Sequence, residues 1–371
     1  MPQLKSISMI LLYLFTMTSL QAAPESKPPS QVRENLNFCG QWFLAWQHHS
    51  EEDSALNEFT LKRGYVTIQK TFNERFSARI TQDITVDQEG DGQGDIEIRL
   101  KYGYLRYSFH KLLFFNKPFL EVGLVHRPWI DFEQKVNRYR VQGTMYLERS
   151  SLLRSADYGV TFSALIGETL NEEFRRSVNN NFPGEYGSFA VGIFNGASYD
   201  VIENNNNKLI EGRLSLRPVP RRMPGLQCHY IGAYGKGNTA VEPDFTLNAF
   251  SLTLERQNIV LVTTLYTGNG DAFGTLVDDR GESLRQKGYS QFIELRLGRS
   301  GGSLFGRYDL LRTQLSGDDR YQERYIAGAA CSIFENARLV ADLDYLISRH
   351  THTQHKKPSK SPSSLLFNNW I

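Results

Sequence analysis

The fold is decided by two alternating runs, Arg75-Phe-Ser-Ala-Arg-Ile-Thr-Gln-Asp-Ile-Thr-Val86 and Ile96-Glu-Ile-Arg-Leu-Lys-Tyr-Gly-Tyr-Leu-Arg-Tyr-Ser-Phe109. In the first run, Ile80 and Ile84 share one parity, whereas Arg79 and Asp83 share the other. Successive side chains of a β-strand point to opposite faces of its sheet, so each run has one apolar and one charged face. The two runs therefore predict a β-hairpin with two unlike faces.

The linker Asp87–Asp95 is rich in glycine and carboxylate residues, which is typical of a turn. Its acidic positions partly match a calcium-binding loop, but the twelfth place is Ile98 instead of glutamate, and strands flank it instead of helices. We therefore expect a hairpin turn. The histidines also lack cysteine or carboxylate partners at metal-ligand spacings, so we predict no metal and no cofactor.

The N-terminus predicts export. Residues 1–23 combine Lys5, an apolar core from Ile7 to Leu20, and small residues before Pro24, as in a secretory signal peptide. Residues 24–37 are polar and are interpreted as a periplasmic leader. The net charge of +2 gives no electrostatic reason to expect a nucleic-acid partner. Three widely spaced cysteines do not form a disulfide framework.

Alternating patterns recur through residues 38–347, which we interpret as one barrel domain. Runs of about ten residues suit a tilted membrane crossing, whereas strands of soluble proteins average about 5–6 residues. Aromatic residues fall on the apolar parity as interfacial girdles would. This set comprises Trp42, Trp46, Tyr102, Tyr104, Tyr158, Tyr234, Tyr289, Tyr308 and Tyr345.

The charged residues then indicate which face of each strand points into the barrel. An arginine facing lipid at the membrane midplane costs roughly 2–4 kcal/mol, so the charged parity must face a water-filled interior. We assign Arg75, Arg79, Arg99, Lys101, Arg213 and Arg307 to this lumen wall, and place Ile80 and Leu100 against lipid. The whole charged parity contains as many carboxylates as cations, so the wall alone predicts no selectivity. The predicted fold class is an all-β transmembrane antiparallel barrel of about 16 strands.

Several stretches resemble the porin O/P family, the so-called phosphate-selective porins. The resemblance spans residues 55–347 and rests on the order of eight motifs: Arg63–Lys70, Phe76–Asp83, Tyr102–Tyr107, Glu121–Pro128, Glu148–Leu153, Val191–Gly196, Gly306–Asp309 and Ile333–Arg338. The resemblance implies a 16-stranded outer-membrane barrel, a homotrimer, and a long loop folded into the lumen. Residues 348–371 depart from the family pattern. This His/Lys/Ser-rich tail ends in Trp370 and Ile371, and contains only a candidate closing strand.

Residues 127–155 interrupt the alternation and are the candidate for the in-folded constriction loop. They carry a modest excess of basic residues, and Lys or Arg at a narrow point lowers the barrier for anions. We assign to this constriction and anion path Arg127, Lys135, Arg138, Tyr139, Arg140, Tyr146, Arg149 and Arg154. A solvated surface loop with no role in selection is the alternative interpretation.

These patterns predict an outer-membrane porin, not an enzyme, for passive diffusion of small hydrophilic solutes or ions. A weak anion preference follows from the loop, and the family label would make that preference phosphate-type. The expected partners are outer-membrane lipid, the diffusing solutes or anions, and two further copies of the chain. A non-conducting structural or receptor barrel remains an alternative, as does an outer-membrane enzyme, which would need a Ser/His or Asp/His set at the barrel rim.

Overall fold

The structure, a computed structural model, describes residues 35–51, 54–87, 92–298, 301–315, 318–334, 336–350, 359–360 and 364–370. Asn37–Ile371 forms one compact unit. Of the preceding unit, Met1–Leu36, only the last two residues are described, so the predicted signal peptide lies outside the described residues. In the described part of the chain, no helix has the length and apolar character needed to span a membrane.

In the described part of the chain, one antiparallel sheet contains all of the strands. Sixteen of them are long, and two more, β5 and β17, have two residues each. The strands are β1 (Leu36–Glu51), β2 (Ser54–Thr71), β3 (Phe76–Val86), β4 (Ile96–Ser108), β5 (Lys111–Leu112), β6 (Phe115–His126), β7 (Ala156–Ile166), β8 (Gly187–Phe194), β9 (Leu209–Leu216), β10 (Leu226–Lys236), β11 (Asp244–Glu255), β12 (Ile259–Asn269), β13 (Arg285–Arg296), β14 (Gly302–Leu315), β15 (Asp318–Phe334), β16 (Ala337–His350), β17 (Ser359–Lys360) and β18 (Ser364–Trp370).

Strand pairing runs through the sheet and returns to its start. Each long strand pairs with its sequence neighbour, and β1 pairs with both β2 and β18, while β18 also pairs with β16. In the C-terminal pairing, Phe43 lies opposite Trp370, so part of the atypical tail supplies a strand beside β1. This arrangement leaves no long strand with a free edge, as in closed barrels. It bears out the predicted antiparallel barrel of about 16 strands.

The connections between strands define two rims. One rim, the short-turn rim, carries tight connections such as residues 72–75, 256–258 and 297–301. The opposite rim, the loop rim, carries the long connections at 127–155, 195–208 and 270–284. Since antiparallel strands alternate in direction, β1 starts and β18 ends at the short-turn rim. Short periplasmic turns and long external loops are typical of outer-membrane barrels.

The middle of the outer face is apolar and the inner face carries buried charges. Ile80 and Leu100 are 50% and 41% exposed on the outer face, as predicted, whereas Asp83 and Glu294 are fully buried inside. Tyr158 and Tyr234 are also exposed on the outer face. A soluble monomer rarely exposes so continuous an apolar surface, whereas membrane barrels carry an apolar outward-facing band.

A β-bulge changes the predicted orientation of Tyr102 and Tyr104. The pairing of β3 with β4 shifts register between Thr81 and Gln82, so Lys101 is the extra residue of β4. Beyond the bulge the parity is inverted, and both tyrosines are buried inside the barrel instead of facing lipid. The predicted girdle loses these two residues, and the lumen gains two aromatic rings.

The turn after β3 is a hairpin turn, as expected. The Asp87 amide donates to the Asp95 carbonyl at 2.8 Å, and the Gly94 amide donates to the Asp87 carbonyl at 2.9 Å. Gly94 has a φ of +97°, a conformation that glycine adopts without strain. Residues 88–91 of this linker lie outside the described residues. Among the described residues, no cluster of three or more His, Cys, Asp or Glu side chains is placed to hold a metal ion.

Candidate functional site

Residues 127–155, named the constriction loop, leave β6 at the loop rim and fold into the barrel. They contain two short helices, α1 (Pro128–Val136) and α2 (Tyr146–Arg149). Helix α1 begins with Pro128, whose fixed φ and missing N–H suit the first position of a helix. The loss of β-alternation in the sequence therefore marks a helical insertion, which sequence analysis treated as irregular.

The start of the loop is fixed by a buried ion-pair cluster. Arg127 donates to Glu211 of β9, with Nε–Oε2 at 2.5 Å, and its NH1 lies 3.6 Å from Asp157 Oδ2 of β7. The Trp129 amide donates to the other Glu211 oxygen at 3.2 Å, and Arg213 donates to the Pro128 carbonyl at 3.1 Å. These contacts hold α1 against the inner face of β9.

The middle of the loop reaches strands β13 and β14. Arg138 donates to Glu294 of β13 at 2.7 Å, and the Tyr139 hydroxyl donates to the same carboxylate at 2.8 Å. The Tyr139 ring stacks on Phe305 of β14, with ring centroids 4.1 Å apart. The Tyr146 hydroxyl donates to the Leu310 carbonyl at 2.9 Å. The loop thus spans the lumen from β9 to β14.

A third set of contacts reaches the strands beside the chain termini. Gln142 donates to Asp344 of β16 at 3.1 Å, and Lys62 of β2 donates to the Gln142 carbonyl at 3.1 Å. Arg307 of β14 donates to the Thr144 carbonyl at 3.2 Å. Because partners lie on several sides of the barrel, the constriction loop is held as a fixed internal structure, as the fold prediction required.

An apolar core fills the lumen between the loop and strands β10–β14. Trp129, Phe132 and Leu147 of the loop are buried against inward-facing Ile231 and Phe245. These strands carry apolar residues on both faces, one toward lipid and one toward the loop. This side of the barrel is therefore closed by side-chain packing instead of being open to water.

A second segment, residues 167–186, enters from the short-turn rim and packs beneath α1. It contains α3 (Glu172–Ser177). Asn179 donates to the Lys135 carbonyl at 3.1 Å and to Glu255 of β11 at 2.7 Å. The Arg213 guanidinium lies between two rings, 4.7 Å from Phe132 and 4.9 Å from Phe182. The two segments therefore meet inside the barrel.

Two cavities lie on the other side of the constriction loop, along β1–β7. The first cavity, of about 290 Å³, is lined by Cys39, Gly40, Gln41, Tyr65, Thr67, Arg79, Thr81, Lys101, Tyr102, His126, Asp131, Gln134, Lys135, Arg138 and Arg140. The second cavity, of about 570 Å³, opens toward the short-turn rim beside Phe109, His110 and Lys117. Both are lined by Arg79, His126, Asp131 and Lys135, and we call these four residues the neck.

The cations of the first cavity differ in their partners. Arg138 is paired with Glu294, and Arg140 with Glu148 at 2.5 Å. Arg79, Lys101 and Lys135 have no carboxylate within ion-pair distance in the described part of the chain. Lys101 instead donates to the Tyr65 hydroxyl at 3.0 Å and lies 4.5 Å from the centre of that ring. The first cavity therefore carries three unpaired positive charges.

His126 occupies the neck through aromatic and polar contacts. Its ring stacks on Tyr102 at 4.0 Å, and its Nδ1 lies 3.3 Å from Glu121. Its Nε2 lies 4.0 Å from Asp131, which is the only carboxylate side chain that lines the two cavities as described. Sequence analysis missed His126 because a single histidine at a strand end carries no distinctive spacing.

The predicted constriction residues separate into two groups. Lys135, Arg138 and Arg140 line the first cavity. Arg127, Tyr139 and Tyr146 are buried and line neither cavity, because each is used to fix the loop to the wall. Arg149 donates to Gln142 at 2.9 Å within the loop, and Arg154 lies over Phe273 at 4.5 Å. These five residues therefore lie apart from the two cavities, and their place on an anion path stays a prediction.

The predicted lumen-wall residues also separate. Arg79 and Lys101 line the first cavity, and Arg99 lies inside near Asp83 and Asp200. Arg213 and Arg307 are buried behind the constriction loop. Arg75 is exposed beside the short turn, where it contacts His110 at 3.0 Å, because it precedes β3 instead of lying within it. The structure therefore places Arg75 at the short-turn rim and not along the strand.

Glu133 of α1 predicts a pH dependence of loop stability. Burial raises the pKa of this carboxyl from about 4.5 to about 7, with Arg307 opposing the rise. A raised folded-state pKa stabilises the fold fully below the unfolded value, and this contribution is lost as the pH rises through about 7. We expect amide exchange in α1, corrected for its intrinsic rate, to accelerate between about pH 5 and about pH 8. Glu133→Gln should remove most of this acceleration. If the exchange rates of the variant keep the same pH dependence, another titrating group causes it.

Comparisons with known proteins agree on the architecture alone. No family model and no curated protein matches the sequence, so the resemblance to the porin O/P family stays a prediction. Among solved structures, an anion-selective porin from Comamonas acidovorans has a TM-score of 0.60 at 9% identity, covering 90% of this chain and 99% of that chain. A loop L8 deletion mutant of OmpT, an outer membrane protein of Vibrio cholerae, has a TM-score of 0.57 at 12% identity, covering 91% and 99%. The outer membrane channel DcaP of Acinetobacter baumannii has a TM-score of 0.53 at 8% identity, covering 91% and 98%. The chain therefore has the β-barrel fold of outer-membrane porins.

Proposed function

We propose that this protein is an outer-membrane porin through which small hydrophilic solutes diffuse passively, with a preference for anions. The observation that carries the proposal is the pair of cavities that share the four neck residues. They run beside the constriction loop and are lined by unpaired Arg79, Lys101 and Lys135, with Asp131 as the opposing carboxylate. The path is thus set against one wall of the barrel.

The charge of this path is the basis for the anion preference. A narrow space with low-dielectric walls concentrates the field of the charges that line it. Cations already paired to carboxylates contribute little net field at a distance, whereas unpaired cations attract anions and raise the barrier for cations. The first cavity holds only about 290 Å³, which restricts passage to small solutes.

Three features of the barrel around this path are typical of an outer-membrane protein. The outer face is apolar, the long connections share one rim, and the predicted signal peptide supplies export. We further propose a homotrimer. Its support is the sequence resemblance and one similar solved structure, the trimer form of in-vitro folded OmpT, an outer membrane protein of Vibrio cholerae.

Single-channel recording tests conduction. Refolded full-length protein in a planar bilayer should give stepwise conductance increments, since the two cavities are lined by the same four neck residues. A protein that migrates as a folded, heat-modifiable barrel but gives no steps would favour the non-conducting structural or receptor alternative. Hydrolytic activity of the folded barrel would instead favour the enzyme alternative.

A salt gradient tests selectivity in the same bilayer. We expect the reversal potential to have the sign of anion preference, because the unpaired charges are positive. Replacing chloride by phosphate then separates general anion passage from the phosphate-type preference that the family label implies. A reversal potential of the opposite sign would contradict the proposed role of Arg79, Lys101 and Lys135.

A further inference from the structure

A row of tyrosines crosses four neighbouring strands on the outer face. Tyr289 of β13, Tyr308 of β14, Tyr325 of β15 and Tyr345 of β16 lie at successive strands, and Tyr325 is the direct cross-strand partner of Tyr345. The rings of Tyr289 and Tyr308 are 6.1 Å apart, and those of Tyr308 and Tyr325 are 5.0 Å apart. Amphipathic rings of this kind mark the headgroup level of a membrane. The row therefore places the outer boundary of the apolar zone on this side of the barrel.

Basic residues follow toward the loop rim, one step beyond the tyrosine row. Lys287 lies two residues from Tyr289 along β13, and its direct cross-strand partner on β14 is Arg312. Arg285 lies two residues further on the same face. Like charges directly opposite each other in an antiparallel pair repel, since their Cβ atoms are only about 4.5–5.5 Å apart. The chain thus places like charges together where lipid headgroups begin.

Nearby carboxylates neutralise only part of this charge. Arg312 donates to Asp319 of β15 with Nε–Oδ2 at 2.9 Å. Arg285 and Lys287 are exposed, and among the described residues neither has a carboxylate within ion-pair distance. Between them lies a small polar cleft of about 80 Å³, lined by Arg285, Gln286, Lys287, Arg312 and Gln314. The cleft therefore offers the exposed cations of Arg285 and Lys287, together with amide donors, while Asp319 already accepts from Arg312.

We propose that this cleft binds the phosphate group of an anionic lipid in the outer leaflet. The tyrosine row fixes the height of the site at the membrane interface, and the outer face supplies an apolar surface for the acyl chains below it. Lys and Arg donate charge-assisted hydrogen bonds to phosphate oxygens, and a phosphate between Lys287 and Arg312 turns their repulsion into attraction. Arg285 and Gln314 line the end of the cleft that is nearer to the loop rim. The site is separate from the diffusion path, because it lies on the opposite face of the wall.

Retention of lipid by the purified full chain tests this site. Detergent-solubilised protein is mixed with phosphatidylglycerol or phosphatidylcholine, and bound lipid is counted by native mass spectrometry. We expect phosphatidylglycerol to be retained preferentially, and Arg285→Gln with Lys287→Gln to lower its retention by about fivefold for each charge removed. Lys287→Arg should keep most of it. Arg221→Gln with Arg222→Gln, the same charge change at the short-turn rim, is the matched control.

Several results would overturn the proposal. Equal retention of phosphatidylglycerol and phosphatidylcholine would show that the cleft does not recognise the anionic headgroup. An equal loss of phosphatidylglycerol in the Arg221/Arg222 control would show that the net charge of the protein, and not the cleft, determines retention. If inorganic phosphate at low millimolar concentration displaces the lipid, the cleft is a site for a free anion and not for a lipid headgroup. Dissociation of an oligomer on Lys287→Gln would assign the surface to a second copy of the chain. Heat-modifiable migration of each variant establishes that the barrel is folded.

Discussion

Replacing Arg127 by methionine is expected to destabilise the barrel by about 3–5 kcal/mol, the cost of leaving a buried ion pair without one partner. Arg127, Glu211 and Asp157 are all fully buried. The substitution would leave the carboxylates of Glu211 and Asp157 unpaired beside the Phe194 ring, where water does not reach them. It would also free the start of the constriction loop, so we expect larger and noisier single-channel currents.

Unfolding in denaturant and single-channel recording measure these two effects. The variant Arg127→Met with Glu211→Gln and Asp157→Asn removes the unpaired charges, and should recover much of the lost stability without restoring the fixed loop. Arg75→Met is the matched control, because Arg75 is exposed near the short turn. Equal stability of Arg127→Met and Arg75→Met would contradict the role of the buried cluster.

Neutralising the three unpaired cations is expected to remove the anion preference. Two unit charges about 8 Å apart interact by about 2 kcal/mol at an effective dielectric constant of about 20, and physiological salt screens this by roughly a factor of three. Arg79→Gln, Lys101→Gln and Lys135→Gln together should therefore lower the anion-to-cation permeability ratio by at least roughly tenfold at physiological salt, and by more at low salt. The reversal potential in a salt gradient measures the change.

The control for this variant changes the same number of charges away from the path. Arg221, Arg222 and Arg256 are exposed at the short-turn rim and line neither cavity, so their substitution by glutamine should shift the reversal potential only slightly. A shift as large as that of the cavity variant would show that net charge, and not the path, sets selectivity. The difference should also decrease as the salt concentration rises.

The orientation of single side chains shows where sequence analysis succeeded and failed. Ile80 and Leu100 face outward and Arg79 faces inward, as alternation predicted. Tyr102 and Tyr104 face the opposite way from the prediction, because the bulge at Lys101 inverts the parity of the rest of β4. A bulge depends on the register of two strands, so the sequence of one strand does not reveal it.

The constriction loop shows the same division. Its position was predicted from the interrupted alternation, and so was its excess of basic residues. Which of those residues line open space was not predicted, since Arg127 and Lys135 look alike in the sequence. Arg127 meets Glu211, which is 84 positions away, whereas Lys135 projects into the space that the packed side of the lumen leaves open.

The sequence by itself determined the antiparallel barrel, the apolar outer face and the segment that folds inside. These properties follow from local periodicity, because strand geometry converts alternation directly into two faces. Only the tertiary structure decided which cations are paired and which are free. An ion pair inside a barrel joins strands that are distant in sequence, so the unpaired charge of Arg79, Lys101 and Lys135 is a property of the closed wall and of the loop packed within it.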